Sequence, residues 1–337
     1  MMAADGVLKL AVPSDGEMHE PTLGFLRQCG MPVARSSARG YTAIIPAVED
    51  VTVLFQRAAD ITSKVEEGSA HLGVVGMDRY METSREGGES LVIIEDLGFS
   101  RCELAIAVPD SWVDVTSVAD LADLAVEFRG SGRELRVATK YPRMVQRFMY
   151  QHGINYFMLV VSSGTLEAAP TMGYADIIGD LVSTGITLRE NRLKTLEDGT
   201  ILSSQACLIG NRTLLGAHPG QLEAARAVVE RIEAYLSAGE YRRVTVNVRG
   251  DSREAVAAQV LERPEVAGLH GPTVSQVFGP DGARWFSVTV FVDKDRVMDA
   301  VDHFRAIGGS TVTVSQVNYI FHSRSQAYDA LLRALGR

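Results

Sequence analysis

The sequence predicts an α/β protein with two lobes of β-loop-α repeats followed by a separate βαββαβ module. Three observations carry this. A β-loop-α pattern opens at Val7, runs to about Val108, and starts again from Leu121. Ile177, Ile178, Leu181 and Val182 form a nearly continuous apolar run, as expected of a strand buried on both faces of a parallel sheet. Beyond Gly239 the order becomes strand, helix, strand, strand, helix, strand, the ferredoxin-like arrangement. A length of 337 residues suits two or three domains, and 46% hydrophobic content is ample for ordinary cores.

In order, Val7 to Val12 reads as a strand ending at Pro13, and Ser14-Asp15-Gly16-Glu17 as the loop before a helix from Glu20 to Cys29. Tyr41–Pro46 and Val51–Phe55 are β-branched and apolar enough for strands, and Ile61–Glu67 is a short helix closed by Gly68. His71–Val75 is a buried strand with Gly76 and Asp78 at its C-terminal end, where open α/β sheets place ligand groups. Leu91–Ile94 and Leu104–Val108 flank the stretch at which the chain is expected to cross to another lobe. That lobe contains strand Leu135–Ala138, helix Arg143–Gln151, strand Phe157–Val161 and the run around Ile177, with Ile201–Ile209 returning to the first sheet. Gln221–Leu236 is a connector helix ended by Ser237-Ala238-Gly239. The module follows as Arg243–Val248, Ser252–Leu261, Thr273–Phe278, Trp285–Val292, Asp295–Ile307 and Thr311–Ile320, with a last helix over Gln326–Leu335. The expected divisions are lobe 1 over 1–108 with return segment 194–216, lobe 2 over 109–193, connector 217–239 and module 240–337.

A formal charge of −9 argues against a general role on nucleic acid or a membrane surface, both of which require a basic face. No apolar run reaches transmembrane length, and Met1 to Val12 lacks a basic region ahead of a signal core, so the expected compartment is the cytoplasm. Cys29, Cys102 and Cys207 are odd in number and widely spaced, which suits neither a disulfide framework nor a metal pair. The seven histidines show no metal-ligand spacing, and His71 reads as structural. No Ser-His-Asp or Cys-His order and no glycine-rich nucleotide fingerprint is present.

Ser183-Thr184-Gly185-Ile186-Thr187 breaks the apolar run at Ile177–Val182. Gly185 allows positive φ and close backbone approach, and Thr187 with Glu190 fits a capping box opening a helix. Free N–H groups and the hydroxyls of Ser183, Thr184 and Thr187 suit a phosphate monoester. Asp180, just upstream, can hold sugar hydroxyls. This stretch resembles the phosphoribosyl-diphosphate loop of the ATP phosphoribosyltransferase family in its long, regulated form. The likeness extends through Leu54-Phe55-Gln56-Arg57, Leu72-Gly73-Val74-Val75-Gly76-Met77-Asp78, Asp96-Leu97-Gly98-Phe99-Ser100-Arg101-Cys102, Gly164-Thr165-Leu166-Glu167, Ser204-Gln205-Ala206-Cys207 and Gly271-Pro272-Thr273, in the family's order.

The resemblance implies a two-lobed catalytic region of periplasmic-binding-protein-like architecture. The implied reaction joins N1 of the adenine of ATP to C1 of phosphoribosyl diphosphate and releases diphosphate, the first step of histidine biosynthesis, with magnesium as cofactor. It places the acidic positions Glu167 and Asp180 in the ribose-phosphate site and the nucleotide at Asp78, Arg101 and Cys102. Arg57 and Arg101 adjoin apolar strand sequence and carry planar forks suited to phosphate oxygens. It further implies feedback inhibition by L-histidine at Asn247, Leu269 and Thr273, with Ser315 expected close by, and dimers assembling to a hexamer. Asp176, alternating with apolar neighbours, reads as structural.

One departure stands out. Asp15 and Glu17 occupy positions where many family members carry lysine and arginine, which puts the diphosphate contact in doubt. Lys9, Arg39, Lys140, Arg143 or a bridging magnesium ion are the candidate substitutes. The same two acids are the main support for the alternative, a non-catalytic two-lobed small-molecule or nucleotide sensor.

Overall fold

Apolar periodicity sets the strands, and the chain forms them in the expected succession. The computed structural model describes residues 6–35, 37, 40–162, 164–278 and 282–337, so Arg39 and Ser163 lie outside the described residues. The first part supplies β1 (Leu8–Pro13), α1 (His19–Gln28), β2 (Thr42–Ile44), β3 (Val51–Gln56), α2 (Ala58–Glu66), β4 (Leu72–Gly76), α3 (Met77–Thr83) and β5 (Ser90–Ile94). Next come β6 (Cys102–Pro109), α4 (Val118–Gly130), β7 (Leu135–Thr139), α5 (Pro142–Gln151), β8 (Phe157–Val161), α6 (Ala169–Met172), β9 (Ile177–Val182), α7 (Ile186–Glu190) and β10 (Leu193–Ser204). The chain then returns through β11 (Ala206–Asn211) and α8 (Arg212–Ala217).

Two sheets result, ordered β2-β3-β1-β4-β11-β5 and β10-β6-β9-β7-β8. β9 is buried on both faces over Ile177–Gly179, where Ile177 packs with Leu121, Val145 and Phe148 on one side and Ile178 with Leu166, Ala169 and Leu188 on the other, whereas Leu181, expected in the buried run, is exposed where the strand reaches the cavity. In the first lobe, Ile61 and Val65 of α2 cover Ala11, Val75 and Ile209. His71 is buried, its Nδ1 accepting from the Lys9 amide at 3.0 Å.

Several expected boundaries move. β6 pairs with β9 and β10, so residues 102–109 sit in the second sheet although the first lobe was expected to run to 108. The return strand is two strands: β10 stays with β6, and only from Ala206 does the chain pair with β4 in the first sheet. The two crossings lie side by side, the Ala206 amide donating to Phe99 O (3.0 Å) and the Leu97 amide to Ala206 O (2.9 Å). α4, which had no expected counterpart, opens with a Ser117–Asp120 capping box and buries Val118, Leu121 and Ala125.

The long helix α9 (Pro219–Glu240) runs through Gly239 rather than ending before it; an interior glycine costs only about 1 kcal/mol relative to alanine. Then follow β12 (Tyr241–Arg249), α10 (Arg253–Leu261), β13 (Thr273–Phe278), β14 (Arg284–Asp293), α11 (Val297–Ala306), β15 (Gly309–Gln316) and α12 (Gln326–Ala334). The sheet is antiparallel, in the order β13-β14-β12-β15. Val244, Val246, Val248, Val256, Val288 and Phe304 contribute to its core. By internal contacts the chain divides into two compact units: one of residues up to Arg27, Met31–Ala225 and Ala330–Arg337, the other of Gln28–Gly30 and Arg226–Asp329. No helix among the described residues is long and apolar enough to cross a membrane.

Candidate functional site

The ends of β4, β7 and β9, with the loops after β1, β3 and before β6, border one cavity of about 820 Å³ in the first unit. From the second sheet come Asp180 and the Ser183–Thr187 loop, with Glu167 ahead of α6. From the loop after β3 comes Arg57, from the first turn of α3 Asp78, and from the crossing and the start of β6 Arg101 and Cys102. Every residue expected to contact sugar phosphate or nucleotide therefore borders the same space.

The loop differs in detail from its expected form. α7 is a single turn that begins at Ile186, and its N-cap is Gly185 at φ 67° with no side-chain cap, so Thr187 lies inside the turn and no capping box forms. A turn this short contributes little dipole, which leaves the backbone amides as the anion-binding feature. Among the described residues no backbone partner is found for the N–H groups of Thr184 to Thr187. The cavity thus has unpaired donors and three hydroxyls on one segment.

Asp180 is held by a hydrogen bond from the Leu181 amide to Oδ1 (2.9 Å). Burial raises its pKa above the usual aspartate range, Lys140 opposes the shift and Glu167 adds to it. Cys102 is pushed up to about 11, first by burial and then by Asp78, so its thiol is neutral at physiological pH. Arg101 is largely exposed and paired with Asp96 at 2.5 Å.

Asp78 is 4% exposed, and both its oxygens have protein partners. Tyr141 donates its hydroxyl to Oδ2 (2.7 Å) and Ser204 donates to Oδ1 (2.7 Å), while the Asp78 amide donates to Ser204 Oγ (3.0 Å). A methyl at Gly76 would fall 2.3 Å from Asp78 Oδ1, so glycine is required there for the carboxylate to turn in. Asp78 thus ties the framework together with one partner on each oxygen, and it still borders the cavity.

Arg79 escaped the sequence reading. Its guanidinium carbon lies 4.4 Å over the Tyr141 ring, 3.9 Å separate its Nε from Asp78 Oδ2, and it borders the cavity. The one available signal was its position directly after Asp78 at a strand's C-terminal end. Among the proposed replacements for the missing basic pair, Lys140 borders the cavity. Lys9 and Arg143 do not, and the Arg143 guanidinium is bound to Ser84 O. Asp15 and Glu17 border it as well.

Asp176 is outside the cavity. It receives Arg136 at 2.8 Å (backbone) and 3.0 Å (guanidinium) and Arg133 at 3.3 Å. Burial pushes its carboxyl up, but the Arg136 bonds outweigh that and lower it.

In the second unit Asn247, Thr273 and Ser315 lie on β12, β13 and β15; Asn247 alternates with the buried Val246 and Val248, Thr273 and Ser315 are exposed, and Leu269 forms an isolated bridge with Gly271. Thr273 is in register with Thr289, Thr245 and Thr313. β13 and β15 are opposite edges of the sheet. Ser315 was expected close to Thr273, but three strand spacings, about 14 Å, separate their strands within one chain.

Fold and cleft together define a two-lobed α/β protein with a ligand-sized cavity bordered by both lobes, followed by a ferredoxin-like unit. Residues 57–234 match the family described as ATP phosphoribosyltransferase (HisG), and residues 238–319 match its C-terminal domain. The chain is 38% identical over 335 residues to ATP phosphoribosyltransferase 1, chloroplastic, of Arabidopsis thaliana, covering 98% of this chain and 81% of that one. It is 34% identical over 334 residues to the ATP phosphoribosyltransferase of Bradyrhizobium sp. (strain ORS 278), covering 98% and 99%. An ATP phosphoribosyl transferase (HisG:HisZ) complex from Thermotoga maritima shares the fold, with TM-score 0.52 and 23% identity over 67% of this chain and 96% of that one. The chain belongs to the ATP phosphoribosyltransferase family.

Proposed function

We propose that this protein transfers the phosphoribosyl group of phosphoribosyl diphosphate to N1 of ATP, giving phosphoribosyl-ATP and diphosphate in the first step of histidine biosynthesis. The observation that carries this is one cavity bordered by the amide-rich Ser183–Thr187 loop, the carboxylates of Asp180 and Glu167, and the guanidiniums of Arg57, Arg79 and Arg101. Adenine N1 already owns an in-plane lone pair, so the attack on C1 needs no strong base, and the C1–O electrons leave with diphosphate. What remains for the protein is to align two polyanions and to favour positive charge on the ribose and negative charge on the leaving group. The 183–187 amides and hydroxyls are assigned to the 5′-phosphate and Asp180 and Glu167 to the ribose. The arginines and Lys140 are assigned to the other phosphates, with Cys102 beside the nucleotide.

Magnesium is the proposed metal. Among the described residues no group of three histidine, cysteine or carboxylate side chains comes together as a ligand set. Asp180 and Glu167 nonetheless offer hard oxygens in the cavity, and Mg²⁺ typically takes one or two carboxylates plus substrate phosphates. Bound there, it supplies charge neutralisation on the diphosphate. The proposed compartment is the cytoplasm.

The second unit is proposed to bind L-histidine as feedback inhibitor at Asn247, Leu269, Thr273 and Ser315. Because Thr273 and Ser315 occupy opposite sheet edges, one histidine touching both must lie between two copies, which supports the hexamer of dimers as the two-state element.

The test is to incubate pure protein with ATP, phosphoribosyl diphosphate and magnesium and to follow the adduct by mass. Adduct formation is expected; binding of both compounds without conversion would favour the sensor alternative.

A further inference from the structure

Helix α3 continues β4 of the first sheet and is tied to it by Tyr80, whose hydroxyl donates to Ser90 O of β5 (3.3 Å), yet Asp78 and Glu82 make their contacts with the second lobe. Glu82 accepts from the backbone amides of Arg143 (2.9 Å) and Met144 (3.0 Å), in the first turn of α5, whose N-cap Tyr141 offers no side-chain cap. The Arg143 guanidinium donates back to Ser84 O, just past the end of α3. Four residues before Glu82, Asp78 accepts from Tyr141 and from Ser204, the last residue of β10. Thr139, at the end of β7, sets Tyr141 in place: its hydroxyl donates to Gly179 O (2.7 Å) and accepts from the Tyr141 amide (2.9 Å). Arg79 then rests on the Tyr141 ring and borders the cavity.

Two backbone crossings by themselves leave lobes free to swing, as a hinge does. The Asp78 contact lies beside the crossing at Gln205, since Ser204 is its partner. The Glu82 contact is about one helical turn further along α3, roughly 6 Å away. A tie at that distance resists rotation that the crossings alone permit.

We propose that α3 is a third, noncovalent strut between the lobes, and that Glu82 and Tyr141 are positioning residues for the transfer reaction. They hold the two halves of the cavity in a ligand-ready arrangement and keep Arg79 at its border. The role in catalysis rests on the transferase reading of the cavity; the strut itself does not.

The experiment compares the full-length parent with Glu82→Gln and Tyr141→Phe, reading hydrogen exchange on ligand-free protein and steady-state kinetics. Tyr141→Phe keeps the ring beneath Arg79 and removes only the donor to Asp78. Faster exchange is expected at the crossings, over 95–101 and 204–206, while β1 and β7 keep parental protection. KM for both substrates should rise about tenfold with kcat within about twofold, as a binding-competent fraction of about one tenth requires. Parental exchange at the crossings in both variants would overturn the strut, as would a uniform rise across both sheets. The exchange result decides this even if the parent forms no adduct, a failure that would fall on the transferase reading alone.

Discussion

Gly185 offers the sharpest test of the loop, because conformation and space can be separated there. Its φ is 67°, and a Cβ would meet nothing nearer than Arg189 Nη1 at 3.7 Å and Val182 Cγ1 at 3.9 Å, which is ordinary contact. The penalty for Gly185→Val is therefore conformational: about 1–2 kcal/mol for a left-handed L-residue, with a β-branched side chain at the costly end. If the loop keeps its shape, stability falls by that amount. If it relaxes instead, amides of 184–187 leave the phosphate, and each charge-assisted hydrogen bond lost is worth about 1.5–3 kcal/mol. At about 1.4 kcal/mol per tenfold, at least a tenfold loss of affinity for phosphoribosyl diphosphate follows. Gly185→Asn, which adopts the left-handed region readily, should stay within a few-fold of the parent. Calorimetric titration of the three proteins in magnesium buffer reads this directly. Parental affinity in the valine variant would remove the loop from the phosphate site, and equal losses in both variants would show that bulk, not φ, is what matters.

Four further outcomes are expected. Asp180, raised by burial, accepts ribose hydroxyls best as the carboxylate, so binding should weaken as pH falls through its elevated pKa; calorimetric titration at a series of pH values measures this. Because a raised carboxyl contributes stability only below its unfolded value of about 3.9 and loses it as pH rises through the folded value, Asp180→Asn should raise the neutral-pH melting temperature of the free protein while weakening binding. Asp176→Asn should cost about 1–3 kcal/mol in chemical denaturation, discounted for its half-exposed arginine partners; this lowered carboxyl stabilises above its unfolded pKa and ceases to do so as pH falls through the folded one. Thr273→Val should abolish L-histidine binding in a direct titration without changing uninhibited turnover, and unaltered histidine affinity would place the inhibitor elsewhere.

Much of this was legible locally. The run Ile177–Val182 announced a strand buried on two faces, and Ile177 and Ile178 do point to different cores, though Leu181 at its cavity end is exposed. The Ser117–Asp120 capping box is a local N-terminal signal for α4, weakened in the sequence by aspartate standing where such boxes usually have glutamate or glutamine. α3 was hidden for a different reason. Met77 to Thr83 follows a strand without a break, and its stabilising contacts lie some 60 residues away at Arg143 and Met144.

By itself the sequence determined most of the elements, the two-lobed order and the βαββαβ unit, though not α3 or α4, because apolar periodicity, glycines and caps act over a few residues. Together with the family resemblance it also named many of the groups that border the cavity, though not Arg79. Only the tertiary structure decided which sheet takes residues 102–109 and 193–204, because an apolar strand reads the same whichever neighbour it pairs with. It likewise decided that Asp78 is occupied by Tyr141 and Ser204, that Asp15 and Glu17 border the same cavity as the arginines, and that Thr273 and Ser315 stand at opposite edges. Each of these depends on which distant side chains meet, and that is settled by packing across the whole chain rather than by any local pattern.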